Sequence, residues 1–165
     1  VYTNFRKKVE KYGTIQELVP APSEVPMPPV DDPGAIPGYE ELGVNPPEAD
    51  ERAVLHFEGG ENPALERVDH YFWATHNLAQ YKQTRNGLIG PDYSSKFSAW
   101  LNIGALSPRF VHKQVKDFEE EVTKNKSTYW LIFELIWRDF FRYLTLRQEN
   151  LPDHRAVGRG KNLVR

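Results

Sequence analysis

Hydrophobic residues recur with helical spacing through most of the second half of the chain. After Asn62 and Pro63, which suit a helix cap and a first turn, the apolar pattern predicts one helix that ends near Gly87. Further helices are predicted at about residues 4–12, 94–103, 107–122 and 127–144. No segment of this half alternates apolar and polar residues as a strand would, so the predicted fold class is all-α.

A proline-rich segment separates the first predicted helix from the others. Nine of the thirteen prolines fall between Pro20 and Pro47, which predicts a long irregular connector. It is either a disordered linker or a connector laid over the surface of the helical part. The second alternative is favoured by apolar residues along it, namely Val19, Ile36, Leu42 and Val54. The predicted domains are a connector with a short N-terminal helix (1–60), a helical domain (61–148) and a tail (149–165).

The predicted tail is basic. It contains Arg155, Arg159, Lys161 and Arg165 and is expected to be disordered, although contact with nucleic acid is an alternative. The chain begins at Val1 without a methionine, which suggests a fragment or a processed product.

Composition narrows the function classes only slightly. The net charge of −2 gives no overall attraction to nucleic acid, so DNA binding would require a local basic surface. The absence of cysteine excludes disulfides and thiolate chemistry. The five histidines lack metal-ligand spacing, so no metal site is expected. Without a run of eighteen apolar residues, no membrane partner is expected; the compartment and oligomeric state stay open.

Three serines crowd the segment GPDYSSKFSAWLNIG, residues 90–104. Asp92 or Ser94 as a cap, with Ser95 and Ser98 in the first turn, is an ordinary helix start. Together with Lys96, however, the serines supply more hydrogen-bond donors than capping requires, which would suit a phosphate. On the residues alone a cap is the commoner outcome.

A polar stripe crosses the otherwise apolar helix predicted at residues 127–144. Glu134, Arg138 and Arg142 are spaced at i, i+4 and i+8. This stripe either faces water with an i, i+4 ion pair or lines a polar cavity. In the second case Trp137, about one turn beyond Glu134, would lie at the cavity mouth as a flat stacking surface.

Both constellations resemble one family. YKQTRNGLIGPDYSSKFSAWLNIGALSPR and STYWLIFELIWRDFFRYL are similar to the flavin-binding helical domain of the photolyase/cryptochrome superfamily. The DASH branch is the most similar, with its patterns ETRNGL, YSxKFSxWLxxGxxSPR and TYWxIFELLWRDxFR. FEGGENPALERVDHYFW and VYTNFRKKVE also fit, so the resemblance covers about residues 1–148. It implies the N-terminal half of a helical FAD-binding domain of photolyase type, preceded by an interdomain connector.

The resemblance assigns roles to individual residues. It implies FAD contacts near the pyrophosphate and ribityl chain at a tyrosine and the serine turn, and close to the flavin at an arginine. These residues are Tyr81, Ser94, Ser95, Lys96, Phe97, Ser98 and Arg138. It implies that Glu134 and Trp137 face a flipped damaged base pair as catalytic and DNA-binding residues, and that Arg85 contacts the DNA backbone. Leu131 stands where the family has an aromatic flavin contact.

The implied reaction is light-driven electron transfer from FAD to a cyclobutane pyrimidine dimer, preferably in single-stranded DNA. An antenna folate would require an N-terminal domain that this chain lacks. Because the chain carries one wall of the pocket, it is expected to hold FAD weakly and to be inactive alone. The alternatives are a blue-light signalling cryptochrome without repair, or a truncated helical interaction module that does not hold FAD.

Overall fold

A computed structural model describes residues 2–27, 29–46, 48 and 50–149 of the chain. Its α-helices are α1 (Tyr2–Tyr12), α2 (Glu61–Asp69), α3 (Tyr81–Thr84), α4 (Ser98–Ile103), α5 (Pro108–Glu121) and α6 (Lys126–Glu149). A π-helical turn (His70–Ala74) and a 3₁₀ turn (Asn77–Gln80) connect α2 to α3. No strand occurs within the described residues, so the predicted all-α class is confirmed.

The single helix predicted between Asn62 and Gly87 is wrong. After α2 the backbone widens into the π turn, and both the amide and the hydroxyl of Thr75 donate to the His70 carbonyl. His76 then takes a left-handed conformation with φ of 52°, which a continuous helix does not permit. The break turns the chain so that Tyr81 starts a separate short helix, α3.

The helix predicted from residue 94 begins four positions later, at Ser98. Residues 91–97, called the serine turn below, form irregular backbone before it, with Lys96 left-handed at φ of 62°. The predicted cap is also wrong, because no described side chain caps α4 and Asp92 instead accepts hydrogen bonds from Arg67 and His70. Gly104 ends α4 in a left-handed conformation, as the sequence predicted.

Phe72 and Phe118 lie at the centre of the hydrophobic core. Both are fully buried, with ring centroids 6.1 Å apart. The core contains residues of every helix from α2 to α6, and the short α3 contributes Tyr81 alone. The buried face of α5 is Val111, Val115 and Phe118, at the i, i+4, i+7 spacing of an amphipathic helix.

The start of α6 is fixed by side-chain hydrogen bonds. The Asn125 carboxamide accepts from the amides of Ser127 and Thr128, at 2.7 and 3.2 Å. The Thr128 hydroxyl is 2.7 Å from Oε1 of Glu119 on α5, whose other oxygen accepts from Lys116. Burial would raise the pKa of Glu119, but these two hydrogen bonds and the positive charges of Lys116 and Lys124 together hold that pKa below its usual value.

The connector contacts the helical core near its C-terminal end. The Phe57 ring packs on Trp100 at 5.1 Å, and the Trp100 indole donates to the Glu58 carbonyl. Earlier apolar side chains are largely exposed, with Val19 at 84% and Ile36 at 96%. Residues 55–58 therefore lie against the helical core, and Leu18 and Val19 line a cavity with Leu65, Leu106 and Phe110 of the helical part.

Helix α1 packs against α6, which the sequence did not predict. The Tyr2 ring stacks on Trp137 with centroids 3.4 Å apart, and Phe5 packs on Phe140 at 5.5 Å. The Tyr129 hydroxyl is 2.6 Å from the Glu10 carboxylate. The predicted basic tail lies outside the described residues apart from its first position, where α6 ends.

Glu119→Gln should destabilise the chain in a pH-dependent way. We expect it to lower the free energy of unfolding by about 1 kcal/mol at pH 7, since a buried charged hydrogen bond is weakened. A carboxylate with a depressed pKa stabilises the fold above its unfolded pKa, and this contribution disappears as pH falls through its folded pKa. Urea unfolding followed by tryptophan fluorescence should therefore show the two proteins converging between about pH 5 and pH 2.

Exposed Glu120 provides the matched control, and Glu120→Gln should have little effect at either pH. A Glu119→Gln deficit that persists undiminished at acidic pH would contradict the assignment.

Candidate functional site

Two adjoining cavities lie between the serine turn, α3, α4 and α6. The first has a volume of about 350 Å³ and the second about 340 Å³, and each is large enough for part of a ligand. They share four residues, Tyr81, Ser95, Phe97 and Ser98. We call the two cavities together the groove.

The groove collects the predicted site residues. Glu134 and Arg138 line the first cavity, while Arg85, Ser94 and Lys96 line the second. With the four shared residues, every predicted site residue except Trp137 lies on the groove. The groove therefore brings together residues that are up to 57 positions apart in sequence, as Tyr81 and Arg138 are.

One face of α6 forms a wall of the first cavity. Leu131, Glu134, Leu135 and Arg138 line it at i, i+3, i+4 and i+7, which is the spacing of a single helix face. Leu131 is only 3% exposed, so the position that differs from the family pattern belongs to this wall. The structure thus favours the cavity alternative for Glu134 and Arg138, whereas Arg142 is exposed and lines neither cavity.

The charged side chains of this wall pair differently from the expected i, i+4 pattern. The Glu134 carboxylate forms an ion pair with Arg85, which comes from the end of α3. Arg138 contacts Asp139 at 3.3 Å and the Leu101 carbonyl at 3.5 Å. The Arg85 guanidinium also lies over the Trp130 ring, 5.8 Å from its centroid. Arg85 therefore bridges α3 and α6 across the groove.

Tyr81 lies where the two cavities meet. It is 7% exposed, and burial raises the pKa of its hydroxyl although the nearby Arg85 opposes the change. The phenol therefore stays protonated at neutral pH, as a neutral group that can donate one hydrogen bond.

Arg67 supports the serine turn from the side of the core. This residue of α2 is 7% exposed and donates through Nε to the Ser95 carbonyl at 3.0 Å. Its second terminal nitrogen donates to the carbonyls of Pro91 and Ser94, at 2.9 and 3.1 Å. Its first pairs with Asp92 at 2.8 Å. Burial would raise the pKa of Asp92, but hydrogen bonds from Arg67 and His70 hold that pKa below its usual value.

Sequence reasoning missed Arg67. A signal was present, because Arg67 stands between Ala64 of α2 and Tyr71 of the π turn, two buried core residues at spacings of three and four. A cation on a buried face requires buried acceptors, so its position could have indicated a polar partner in the core. The apolar wall residue Leu101 and its polar neighbour Asn102 carried no comparable signal.

Trp137 lies away from the groove. Its ring is stacked on Tyr2 and also on Phe141, the latter at 5.4 Å and 22°. Burial against α6 raises the pKa of Tyr2 to about 12. In this arrangement the flat surface expected at the cavity mouth is covered on one side by the ring of Tyr2.

Curated relatives align with nearly the whole chain. Cryptochrome DASH of Gloeobacter violaceus is 50% identical over 163 residues, which is 99% of this chain. Cryptochrome DASH of Natronomonas pharaonis is 51% identical over 142 residues, or 86% of this chain. The Synechocystis sp. cryptochrome structure matches with a TM-score of 0.74 and 43% identity over 90% of this chain. The chain belongs to the cryptochrome DASH branch of the photolyase/cryptochrome superfamily.

The chain spans about a third of the length of the relatives it matches. It covers 33% of the Gloeobacter protein, 30% of the Natronomonas protein and 31% of the Synechocystis chain. The name of the Arabidopsis thaliana cryptochrome DASH, which is 48% identical over 155 residues, includes the words chloroplastic/mitochondrial. No protein-family model matches the chain.

Neither a membrane-spanning helix nor a metal-binding cluster occurs among the described residues. None of their helices is long and apolar enough to cross a membrane. Nor do their histidine, aspartate and glutamate side chains form a group of three or more that could hold a metal ion.

Replacing Tyr2 by alanine should expose Trp137. We expect stronger acrylamide quenching and a red-shifted tryptophan emission, because the stacked ring that covers the indole is removed. Tyr12 is on the same helix but 71% exposed, so Tyr12→Ala is the matched control and should change neither signal. Introducing Trp137→Phe should abolish the difference between wild type and Tyr2→Ala. A difference that survives this second substitution would show that another tryptophan reports it.

Proposed function

We propose that the chain forms one wall of the FAD site of a cryptochrome DASH flavoprotein. The whole protein would use blue light to transfer an electron from FAD to cyclobutane pyrimidine dimers, preferably in single-stranded DNA. The observation that supports this proposal is the grouping of the serine turn with Tyr81, Glu134 and Arg138 around one groove. Within this proposal, residues 61–148 belong to the FAD-binding domain and residues 1–60 to the connector that precedes it.

The chemistry of the groove fits a flavin dinucleotide. The hydroxyls of the serine turn do not cap α4, so they are available to a ligand. Lys96 lines the same cavity as these serines, and its charge would stabilise a diphosphate. The first cavity adds the apolar side chains of Leu101, Leu131 and Leu135, which suit a flat aromatic ring system.

Each residue would have a binding or orienting task. Ser94, Ser95 and Ser98 would donate hydrogen bonds to the phosphates and the ribityl chain. Arg138, held at the Leu101 carbonyl, would place its positive charge beside the flavin. Bound FAD would supply the photochemistry itself, as a light-absorbing electron donor.

The DNA-facing side would be formed by Glu134, Trp137 and Arg85. The Arg85–Glu134 ion pair keeps the carboxylate oriented at the groove before any ligand arrives. Both side chains are about 30% exposed, at 28% and 31%, so each can still be reached from solvent. For Trp137 to stack on a base, the ring of Tyr2 would have to leave it.

A second candidate function is that of a helical interaction module. It is favoured by aromatic side chains exposed near the end of α6, where Phe141 is 50% and Tyr143 is 63% exposed. Large apolar groups at a helix surface favour contact with another protein segment. Sedimentation over a range of concentrations tests this function. The protein with Phe141→Ser and Tyr143→Ser should self-associate less than wild type does.

FAD binding tests the first proposal directly. In a fluorescence titration we expect weak saturable binding of FAD, with Ser95→Ala and Arg138→Gln each weakening it by about tenfold, or 1.4 kcal/mol. Exposed Arg109 on α5 lies outside the groove, so Arg109→Gln is the control and should bind as wild type does. Absence of saturation, or equal affinity in all four proteins, would rule out this groove as the site.

Oligonucleotide binding tests the DNA-facing side. By fluorescence anisotropy, a single-stranded thymine oligonucleotide with one cyclobutane dimer should bind more tightly than the undamaged strand. Trp137→Ala should remove that preference, since base stacking contributes about 1–3 kcal/mol, whereas Arg85→Gln should weaken both strands equally and reduce the salt dependence. A preference for the dimer that persists in Trp137→Ala would contradict the role given to this tryptophan.

A further inference from the structure

The serine turn has little regular secondary structure to fix its shape. Between Pro91 and Phe97 it contains bends but no helix, and Lys96 takes a left-handed conformation that side chains rarely adopt. Gly87, four positions before the turn, lies close against it, since an added Cβ would be only 2.9 Å from Cβ of Tyr93 and 3.1 Å from the Thr84 carbonyl. Some other interaction must therefore hold the turn in one conformation.

Arg67 provides that interaction. Three carbonyl oxygens of the turn, those of Pro91, Ser94 and Ser95, accept hydrogen bonds from its guanidinium. An arginine presents its N–H donors in a rigid planar fork, so three acceptors and the Asp92 carboxylate are fixed relative to one another. The guanidinium also lies over the Tyr71 ring of the core, 5.3 Å from its centroid.

The geometry assigns a direction to the turn. The carbonyls of Ser94 and Ser95 accept hydrogen bonds from Arg67 on the core side of the turn. Both residues also line the second cavity, so their backbone acceptors are held away from that cavity. An anion is repelled by carbonyl oxygens and attracted by hydroxyls and amides. Sequestering the carbonyls therefore makes the groove side of the turn suited to a phosphate.

We propose that Arg67 is the positioning residue of the serine turn. Arg67 does not line the groove itself but holds residues 91–95 in the conformation that receives a diphosphate. As far as the ligand is concerned, this inference rests on the function proposed above. The conformational part, that Arg67 keeps the turn closed, does not depend on any ligand.

Trypsin cleavage after Lys96 measures the conformational part without FAD. The next residue, Phe97, is 2% exposed, so cleavage requires the turn to open. We expect Arg67→Lys and Arg67→Gln to speed this cleavage about tenfold, because a lysine retains the charge but cannot span three carbonyls. Cleavage after Lys113, in the middle of α5, is the internal reference and should change little, since it reports opening of the core.

Asp92→Asn provides a matched comparison. It weakens the ion pair with Arg67 and leaves the three carbonyl hydrogen bonds in place, so cleavage after Lys96 should change less than in either Arg67 variant. If Arg67→Lys is cleaved at the wild-type rate, or if cleavage after Lys96 and Lys113 rises equally, Arg67 does not position the turn.

Binding of FAD and riboflavin measures the ligand part. Riboflavin lacks phosphates but keeps the ribityl chain, so loss of the phosphate seat should weaken FAD about tenfold in Arg67→Lys and weaken riboflavin much less. An equal loss for both ligands would overturn the assignment to the diphosphate. If wild type binds neither ligand while Arg67→Lys still opens the turn, the proposed function fails and the conformational role of Arg67 stands.

Discussion

The packing of Phe97 into the aromatic core is the interaction on which the groove depends. Its ring lies 5.8 Å from Phe72 and 6.2 Å from Tyr71, and Phe72 in turn packs on Phe118 of α5. Aromatic pairs of this kind contribute about 0.5–1.5 kcal/mol each beyond the apolar area they bury. They tie the end of the serine turn to the π turn and α5.

Burial of the Arg67 charge is the second constraint on the turn. Removing a guanidinium from water is costly unless its donors are satisfied, and here carbonyls of the turn and Asp92 satisfy them. The dependence is mutual, because the same carbonyls lack helical or sheet partners of their own. A buried ion pair is weak evidence for stability. The Arg67 guanidinium, however, joins four acceptors from one segment and thereby specifies that segment's conformation.

The sequence predicted the helices that bury a continuous apolar face and failed where the backbone is irregular. The prediction of α5 was correct because its apolar residues have helical spacing and form the buried face, namely Val111, Val115 and Phe118. Between Asp69 and Tyr81 the same period continues through the π turn, so spacing alone could not detect the left-handed His76. A helix start was predicted at Ser94 and Ser95 because helix caps and loops favour the same residue types.

Most residues that line the groove could be predicted from the sequence, but their pairing, the position of Trp137 and the role of Arg67 could not. Family patterns pointed to the residues of the groove, since these are short local motifs. The contacts of Arg85 with Glu134 and of Tyr2 with Trp137 join residues 49 and 135 positions apart, and no local pattern encodes them. Both contacts occupy groups that the family resemblance assigns to DNA. A base stacked on Trp137 would therefore have to replace the ring of Tyr2, and its affinity would be reduced by what that contact contributes.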